Sequence, residues 1–427
     1  MQHAHSLPVS DPRHGWLVRG CPQGKPLESR CAPKHPRPVR PAFFIWLLAA
    51  LQVAAEPPML RPALAIAANG AGLDVGDYAI PCVADWNGDG RKDLLVGYRV
   101  LATPTLGDKV AMFLNTGTDT APVFGQRSLL QANGADIQVP GSGCGAPAPW
   151  VCDYDGDGRR DLLVGEGNSG YVYLYRNTNT DAAPILAPGV RLLMGASPVS
   201  VSSRATPCVA DWDADGLNDL LCGDGNGNVS FFRNVGTAHA PGYETRVLLQ
   251  AGSGALYLGI RAVPRCIDWD GDGLQDLVGS SDTGVYWCRN TGTRTTPVLQ
   301  APVALNIPKT DGSGSLTTIQ TGGRMRLDLT DWDGDGTLDL ILGNANGTVF
   351  LYPGYRFRVT RIQQLSPGEL TLEWASAPLL KYTVLTGSSP AQIQTPLVTG
   401  LASGGNLTTW THPMSAPARY YRIQVGP

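Results

Sequence analysis

The stretch "DWNGDGRKDLLVG", residues 85–97, decides the reading of this chain. Asp85, Asn87, Asp89 and Asp93 fall within nine residues, two glycines lie among them, and an apolar run follows at once. Carboxylates held this close repel one another unless positive charge sits between them. The loop is therefore either a solvated turn or a cage for a cation. Four more copies decide in favour of the cage: "DYDGDGRRDLLVG" from 153, "DWDADGLNDLLCG" from 211, "DWDGDGLQDLVGS" from 268 and "DWDGDGTLDLILG" from 331. Their start-to-start spacings are 68, 58, 57 and 63 residues, the signature of a solenoid or a propeller.

Each loop is followed by an apolar strand, a Gly/Asn turn and an alternating strand such as "GYVYLYRN" at 170–177. A second signature comes next, "NTGTDTAP" at 115–122, "NTNTDAAP" at 177–184, "NVGTAHAP" at 234–241 and "NTGTRTTP" at 290–297. Its Gly or Asn suits the positive φ of a hairpin turn. One repeat thus reads as about four short strands without helical periodicity, which describes a propeller blade. The fifth copy ends at "VFLYPG", 349–354, without the hairpin signature. Residues 58–75, "PMLRPALAIAANGAGLDV", align without gaps with 122–139, "PVFGQRSLLQANGADIQV". The N-terminal strand is thereby expected to complete the last blade and close a five-bladed ring over 56–354, leaving no open edge. Residues 355–427 lack the motif and carry "LTLEW", "YTVLT" and "YYRIQV", which predict a small β-sandwich.

Arg37 and Arg40 precede the apolar run 42–51, and Val53-Ala54-Ala55 supplies a small-x-small cleavage site. This reads as a signal peptide cut after Ala55, with 1–36 either a long n-region or a start placed too early. The run is too short to span a membrane, and Pro41 and Pro57-Pro58 bracket it against a buried core helix. The expected location is secreted or at the cell surface. Without residues 1–55 the chain has 26 basic and 34 acidic residues, a formal charge of −8, so nothing suggests a nucleic-acid partner. Of nine cysteines, seven (82, 144, 152, 208, 222, 266 and 288) stay in the exported chain, an odd number whose pairing the sequence leaves open.

The motif is D-x-[DN]-x-D-G-x-x-D. Side-chain oxygens stand at positions 1, 3, 5 and 9, and position 7 can add its carbonyl. The candidate ligands are Asp85, Asn87, Asp89, Arg91 and Asp93; Asp153, Asp155, Asp157, Arg159 and Asp161; Asp211, Asp213, Asp215, Leu217 and Asp219; Asp268, Asp270, Asp272, Leu274 and Asp276; and Asp331, Asp333, Asp335, Thr337 and Asp339. An all-oxygen set suits Ca²⁺, up to five ions, and the lack of His and Cys disfavours zinc and copper. An EF-hand would need Glu at position 12, where this chain has Val96, Val164, Cys222, Gly279 and Leu342. Asn87 makes the first cage the least negative and so the weakest expected site.

These loops resemble the FG-GAP/VCBS repeat family, the calcium-loop repeats of integrin α-subunit heads and many exported bacterial proteins. The resemblance covers 58–354 and implies a β-propeller with Ca²⁺ held by the side chains of each loop. The five recognisable copies depart from the seven-bladed integrin pattern, so integrin ligand specificity is not implied. The tail is similar to fibronectin-type-III-like modules. The expected function is a non-catalytic scaffold for adhesion, with a glycan or an extracellular protein as partner. The alternatives are a lyase-like polysaccharide-degrading enzyme and a spacer without a specific ligand. Trp86, Tyr154, Trp212, Trp269 and Trp332 share position 2; they either stack sugars or pack between blades, and packing is the commoner use of a large aromatic. The irregular inserts 98–109, 140–149 and 308–324 are further candidates for a specific site. His239 and His412, the histidines left after cleavage, are expected to be solvated.

Overall fold

The computed structural model describes residues 58–100, 108–139, 146–319, 321–366, 369–387, 392–413 and 420–425. The leader and most of the inserts at 98–109 and 140–149 lie outside the described residues, as does Cys144. The described chain is all-β, and no helix in it is long and apolar enough to cross a membrane.

Each Asp-rich loop joins the first two strands of an antiparallel sheet. Sheet 1 runs Ile80–Ala84, Asp93–Tyr98, Asp108–Phe113, with Ser128–Leu129 outermost. Sheet 2 is Ala148–Cys152, Asp161–Gly165, Val172–Tyr175 and Val190–Arg191. Sheet 3 is Thr206–Ala210, Asp219–Gly223, Val229–Phe232 and Val247–Leu248. Sheet 4 is Val263–Ile267, Asp276–Ser280, Val285–Cys288 and Val303–Ala304. Sheet 5 takes Arg326–Thr330, Asp339–Gly343 and Val349–Tyr352 from the C-terminal side and Leu64–Ala65 from the N-terminal side, with Leu64 opposite Leu351.

The first strands pack side by side in order, that of sheet 1 on that of sheet 2 and onward, and the first strand of sheet 5 packs on that of sheet 1. The second strands are wedged between neighbouring sheets. That explains why "DLLVG" is a continuous apolar run and not an alternating one: all five residues are buried in sheets 2, 3, 4 and 5. Burying each leucine contributes about 1.5–3 kcal/mol. The position-2 aromatics are buried in the same seams. Trp86 of the first loop packs with Leu162 and Val164 of sheet 2, and Trp332 of the fifth loop with Leu94 and Val96 of sheet 1. They are thus packing residues and offer no face to a sugar.

The glycine that ends the run answers to the next sheet. A Cβ on Gly165 would lie 1.9 Å from Ala205 O, on Gly223 2.3 Å from Ala262 O, and on Gly343 2.2 Å from Ala79 O. In sheet 4 Ser280 takes that place, and its hydroxyl donates to Met325 O at 2.9 Å. The same edges are tied by backbone hydrogen bonds: Ala205 N–H to Glu166 O, Ala262 N–H to Asp224 O, Met325 N–H to Ser281 O and Ala79 N–H to Asn344 O.

Each repeat holds more than the four expected strands. A two-residue-stranded hairpin, such as Gln131–Ala132 with Ala135–Asp136, follows the outermost strand. Asn133-Gly134 and Asn69-Gly70 make its turn with φ of 49°/76° and 51°/76°, the type I′ geometry that Asn-Gly favours. The insert 308–324 is partly of this kind, Asn306–Pro308 pairing with Leu316–Thr318.

The tail forms two three-stranded sheets, Val359–Ser366 with Glu369–Ala375 and Leu407–Pro413, and Thr395–Ala402 with Lys381–Gly387 and Tyr420–Val425. They share a core around Trp374, Tyr382 and Ile423, with the Trp374 and Tyr382 rings edge-on at 5.5 Å. Tyr355 joins that core while its ring receives the Arg61 guanidinium at 4.8 Å.

Candidate metal centres

Position 9 anchors every loop. It opens the second strand, where Asp93, Asp161, Asp219, Asp276 and Asp339 are 0–2% exposed. One carboxylate oxygen accepts a backbone N–H from the far end of the third strand: Asn115 to Asp93 at 2.8 Å, Asn177 to Asp161 at 2.7 Å, Asn234 to Asp219 at 2.7 Å, Asn290 to Asp276 at 2.7 Å and Gly354 to Asp339 at 2.6 Å. The other accepts the N–H of the position-2 aromatic in four of the loops. In the remaining loop Asp276 instead accepts from Trp287 Nε1 at 2.9 Å. Burial pushes the Asp161, Asp219, Asp276 and Asp339 carboxyls up to about 6, and the acids of their own loops add to the effect.

The asparagine of the second signature holds this anchor. Asn115, Asn177, Asn234 and Asn290 are 1% exposed. Asn290 Oδ1 accepts the N–H groups of Gly292 and Val298, and its amide donates to Gln275 O. The glycine two residues on is required by a close approach, not by the positive φ expected of a hairpin turn. A Cβ on Gly117, Gly236 or Gly292 would meet a carbonyl at 2.3–2.4 Å, and none of the three has positive φ.

Positions 1, 3 and 9 converge. In four loops their carboxylates offer oxygens within 4.8 Å of one another: Asp153, Asp155 and Asp161; Asp211, Asp213 and Asp219; Asp268, Asp270 and Asp276; Asp331, Asp333 and Asp339. These clusters could hold a metal ion. Oδ1 of Asp153, Asp155, Asp213 and Asp331 is buried without a hydrogen-bond partner. A buried carboxylate oxygen left unpaired is costly, and a hard cation satisfies it. The donor set therefore fits Ca²⁺. In the first loop Asn87 stands at position 3, so three carboxylates do not meet there; its amide donates to Asp89 at 3.0 Å.

Position 5 lies outside these clusters. Asp89, Asp157, Asp215, Asp272 and Asp335 each accept the N–H of position 7, from Arg91, Arg159, Leu217, Leu274 and Thr337 respectively. Asp89 pairs with Arg91 and Asp157 with Arg159. Arginines at the end of the third strand supply further countercharge, which the sequence reading overlooked. Arg176 lies 2.9 Å from Asp155, Arg233 2.7 and 3.1 Å from Asp213 and Asp215, and Arg289 2.7 and 3.2 Å from Asp270 and Asp272. The recurrent "RN" before the second signature was the available clue. Among the described residues no such ion pair reaches Asp331, Asp333 or Asp335.

Neighbouring repeats complete the loops. Arg160 of the second loop pairs with Asp85 at 3.3 Å and Asp181 at 2.6 Å. His239 is exposed, but a ring nitrogen lies 2.8 Å from Asp155 O, so it is a loop contact and not merely solvated. Arg356 donates to Asp270 O at 2.9 Å. His412 stacks on Trp410 at 5.1 Å.

The family model of the FG-GAP-like repeat matches residues 268–342, and that of the FG-GAP repeat matches 151–175. The chain carries FG-GAP repeats. Both matches span acidic loops described above. Integrin alpha-4 of Xenopus laevis is 26% identical over 166 residues, 38% of this chain and 16% of that protein's own length. Among solved structures, an Agrocybe aegerita lectin specific for non-reducing terminal N-acetylglucosamine is similar over 85% of this chain and 97% of its own, at 15% identity and a TM-score of 0.34. A glycoside hydrolase is similar over 83% and 96%, at 10% identity and 0.38. An exo-beta-1,3-galactanase of Phanerochaete chrysosporium is similar over 81% and 77%, at 12% identity and 0.33.

Proposed function

We propose that this chain is an exported, calcium-stabilised five-bladed β-propeller that works as a non-catalytic scaffold for binding a glycan or an extracellular protein. The observation that carries the reading is the convergence of three carboxylates, several with orphaned buried oxygens, in four repeats of one loop. The ring is supported by the pairing of Leu64–Ala65 into sheet 5 and by the contact of sheet 5 with sheet 1. The tail, taken as a fibronectin-type-III-like sandwich over 355–427, is a separate module.

Positions 1, 3 and 9 of each loop would hold the ion, with Asn87 lending an amide oxygen in the first. Positions 5 and 7 would join by reorienting Asp89, Asp157, Asp215, Asp272 and Asp335. Bound Ca²⁺ would supply positive charge that offsets the burial of the position-9 carboxylates and favours their ionised form. The protein's own part is to hold those carboxylates at the strand starts, through the N–H donors of position 2 and the hairpin asparagines in most loops, with Trp287 Nε1 at Asp276 and Gly354 N–H at Asp339. Extracellular modules of this kind work at calcium affinities on the order of 10⁻⁴–10⁻³ M, which suits a secreted protein. The shared FG-GAP repeats and the integrin alpha-4 match favour adhesion over catalysis.

The test is metal analysis of the purified protein dialysed against calcium, followed by a glycan array and an assay for sugar release. Four or five bound ions with retention on the array support the scaffold. Absence of bound calcium removes the metal reading, and release of uronic or neutral sugars from polysaccharide replaces the scaffold with an enzyme.

A further inference from the structure

The residues three places before each acidic loop are Cys82, Trp150, Cys208, Arg265 and Asp328. Asp328 accepts Arg265 Nε at 2.7 Å, and the Arg265 guanidinium lies 4.7 Å from the centre of the Trp150 ring. Three of these side chains also take a backbone N–H from the neighbouring sheet, donated by the residue two places before its loop. Val83 donates to Asp328 at 2.6 Å, Val151 to the Cys82 sulfur, and Cys266 to the Cys208 sulfur at 3.4 Å. The donor place holds Val83, Val151, Val209 and Leu329 in four sheets and Cys266 in the fourth sheet. An aliphatic side chain suits a buried seam, so the repeat itself does not ask for a thiol there. Between sheets 3 and 4 alone, a cysteine at one place faces a cysteine at the other.

Both are free thiols in this structure. Cys208, buried, and Cys266, partly buried, pack in one apolar seam with Trp212, Leu221 and Leu277. The Cys208 sulfur rests against the backbone of Cys266, where a bonding partner of that residue's own sulfur sits. The Cys266 thiol donates a hydrogen bond to the Cys208 sulfur. That bond, with the Arg265 guanidinium nearby, holds the Cys208 thiol below its ordinary value although burial opposes it. The thiolate is the attacking species in disulfide exchange, so Cys208 is the residue fitted to begin one. A shared metal ion is not the use of this pair: among the described residues, the clusters that could hold an ion consist of aspartates.

We propose that Cys208 and Cys266 are an oxidation site and form a disulfide that joins sheets 3 and 4. The oxidant is a small-molecule or protein-borne disulfide, the kind that oxidising compartments outside the cytoplasm supply. The Cys208 thiolate attacks one sulfur of it, forming a mixed disulfide and releasing one thiol that carries the proton Cys208 lost. Cys266 then gives up its proton and attacks the Cys208 sulfur, expelling the second thiol. Two protein thiols are oxidised to one disulfide, and one disulfide is reduced to two thiols. Cys208 is 0% exposed, so the exchange belongs to the folding chain, before the seam closes. The link lies three residues before Asp211 and two before Asp268, and it holds that seam without help from calcium. It depends on neither the metal nor the ligand of the scaffold.

A mixture of oxidised and reduced glutathione is the probe. The reduced full chain is equilibrated with it in calcium, once from the folded state and once during refolding from denaturant. Tandem mass spectrometry of the unreduced digest then locates every link. The expected product joins Cys208 to Cys266, and its melting temperature should fall by roughly 5 °C when the link is reduced. That shift should vanish in Cys266→Val, which installs the residue found at the same place in sheets 1, 2 and 3. The mass readout is covalent, so it stands whether or not calcium binds. Cys208 and Cys266 left unlinked from both starting states, either one joined to another cysteine, or a melting shift that survives in Cys266→Val, overturns the proposal.

Discussion

The two ends of the same five strands are held in different ways. At their starts, neighbouring sheets are joined by backbone: Ala79, Ala205, Ala262 and Met325 each donate an N–H to the sheet before, and glycines let the chains touch. At their ends the strands run into acidic side chains, some orphaned, some facing arginine. Backbone hydrogen bonds within a tight seam are indifferent to the ions in solution, whereas clustered carboxylates respond to them. The repeat thus has one end fixed by the chain and another whose clustered carboxylates make it sensitive to cations.

The sharpest way to break this contrast is at the fixed end. Gly343→Ala places a Cβ 2.2 Å from Ala79 O, where sheet 5 meets sheet 1. It should cost at least about 4 kcal/mol in denaturant unfolding, with or without calcium. Next is the strut beneath the acidic end. Asn290→Ala strands the N–H groups of Gly292 and Val298, and should cost about 2–3 kcal/mol in the same experiment, with a larger loss in chelator because Asp276 loses its support. A smaller change sharpens the comparison among loops. Asn87→Asp restores the missing carboxylate, and site-resolved calcium NMR should show the first site tightening by roughly tenfold from the weakest rank. The smallest effect is expected at Arg324, whose guanidinium lies 4.3 Å from the Tyr78 ring centre; Arg324→Gln should move stability by less than about 1 kcal/mol and leave calcium binding unchanged.

Much of this layout was legible from residues. The ninth-position Asp had to be special because it interrupts an otherwise apolar strand start, and the N-terminal segment had to pair somewhere because its sequence matches 122–139. The burial of Trp86 and its counterparts followed from their size. Less visible were features that depend on neighbours distant in sequence. The rotation of Asp215 and Asp272 toward Arg233 and Arg289 needs the third strand beside the loop. The role of Gly117 lies in its approach to Ala121, which composition reports only as another turn glycine. Arg204, Arg261 and Arg324 each stand seven residues before the first Asp of a loop, so their shared repeat position was legible; that the strand starts converge on one small cavity was not.

Calorimetric melting of calcium-saturated protein against the same protein in EDTA tests the central claim most directly. At tenfold excess over its dissociation constant each ion adds about 1.4 kcal/mol, or roughly 7 kcal/mol over five loops, a shift on the order of 10 °C. The account predicts that drop on chelation and its full reversal when calcium is restored. Superimposable melting curves in calcium and in EDTA would contradict it.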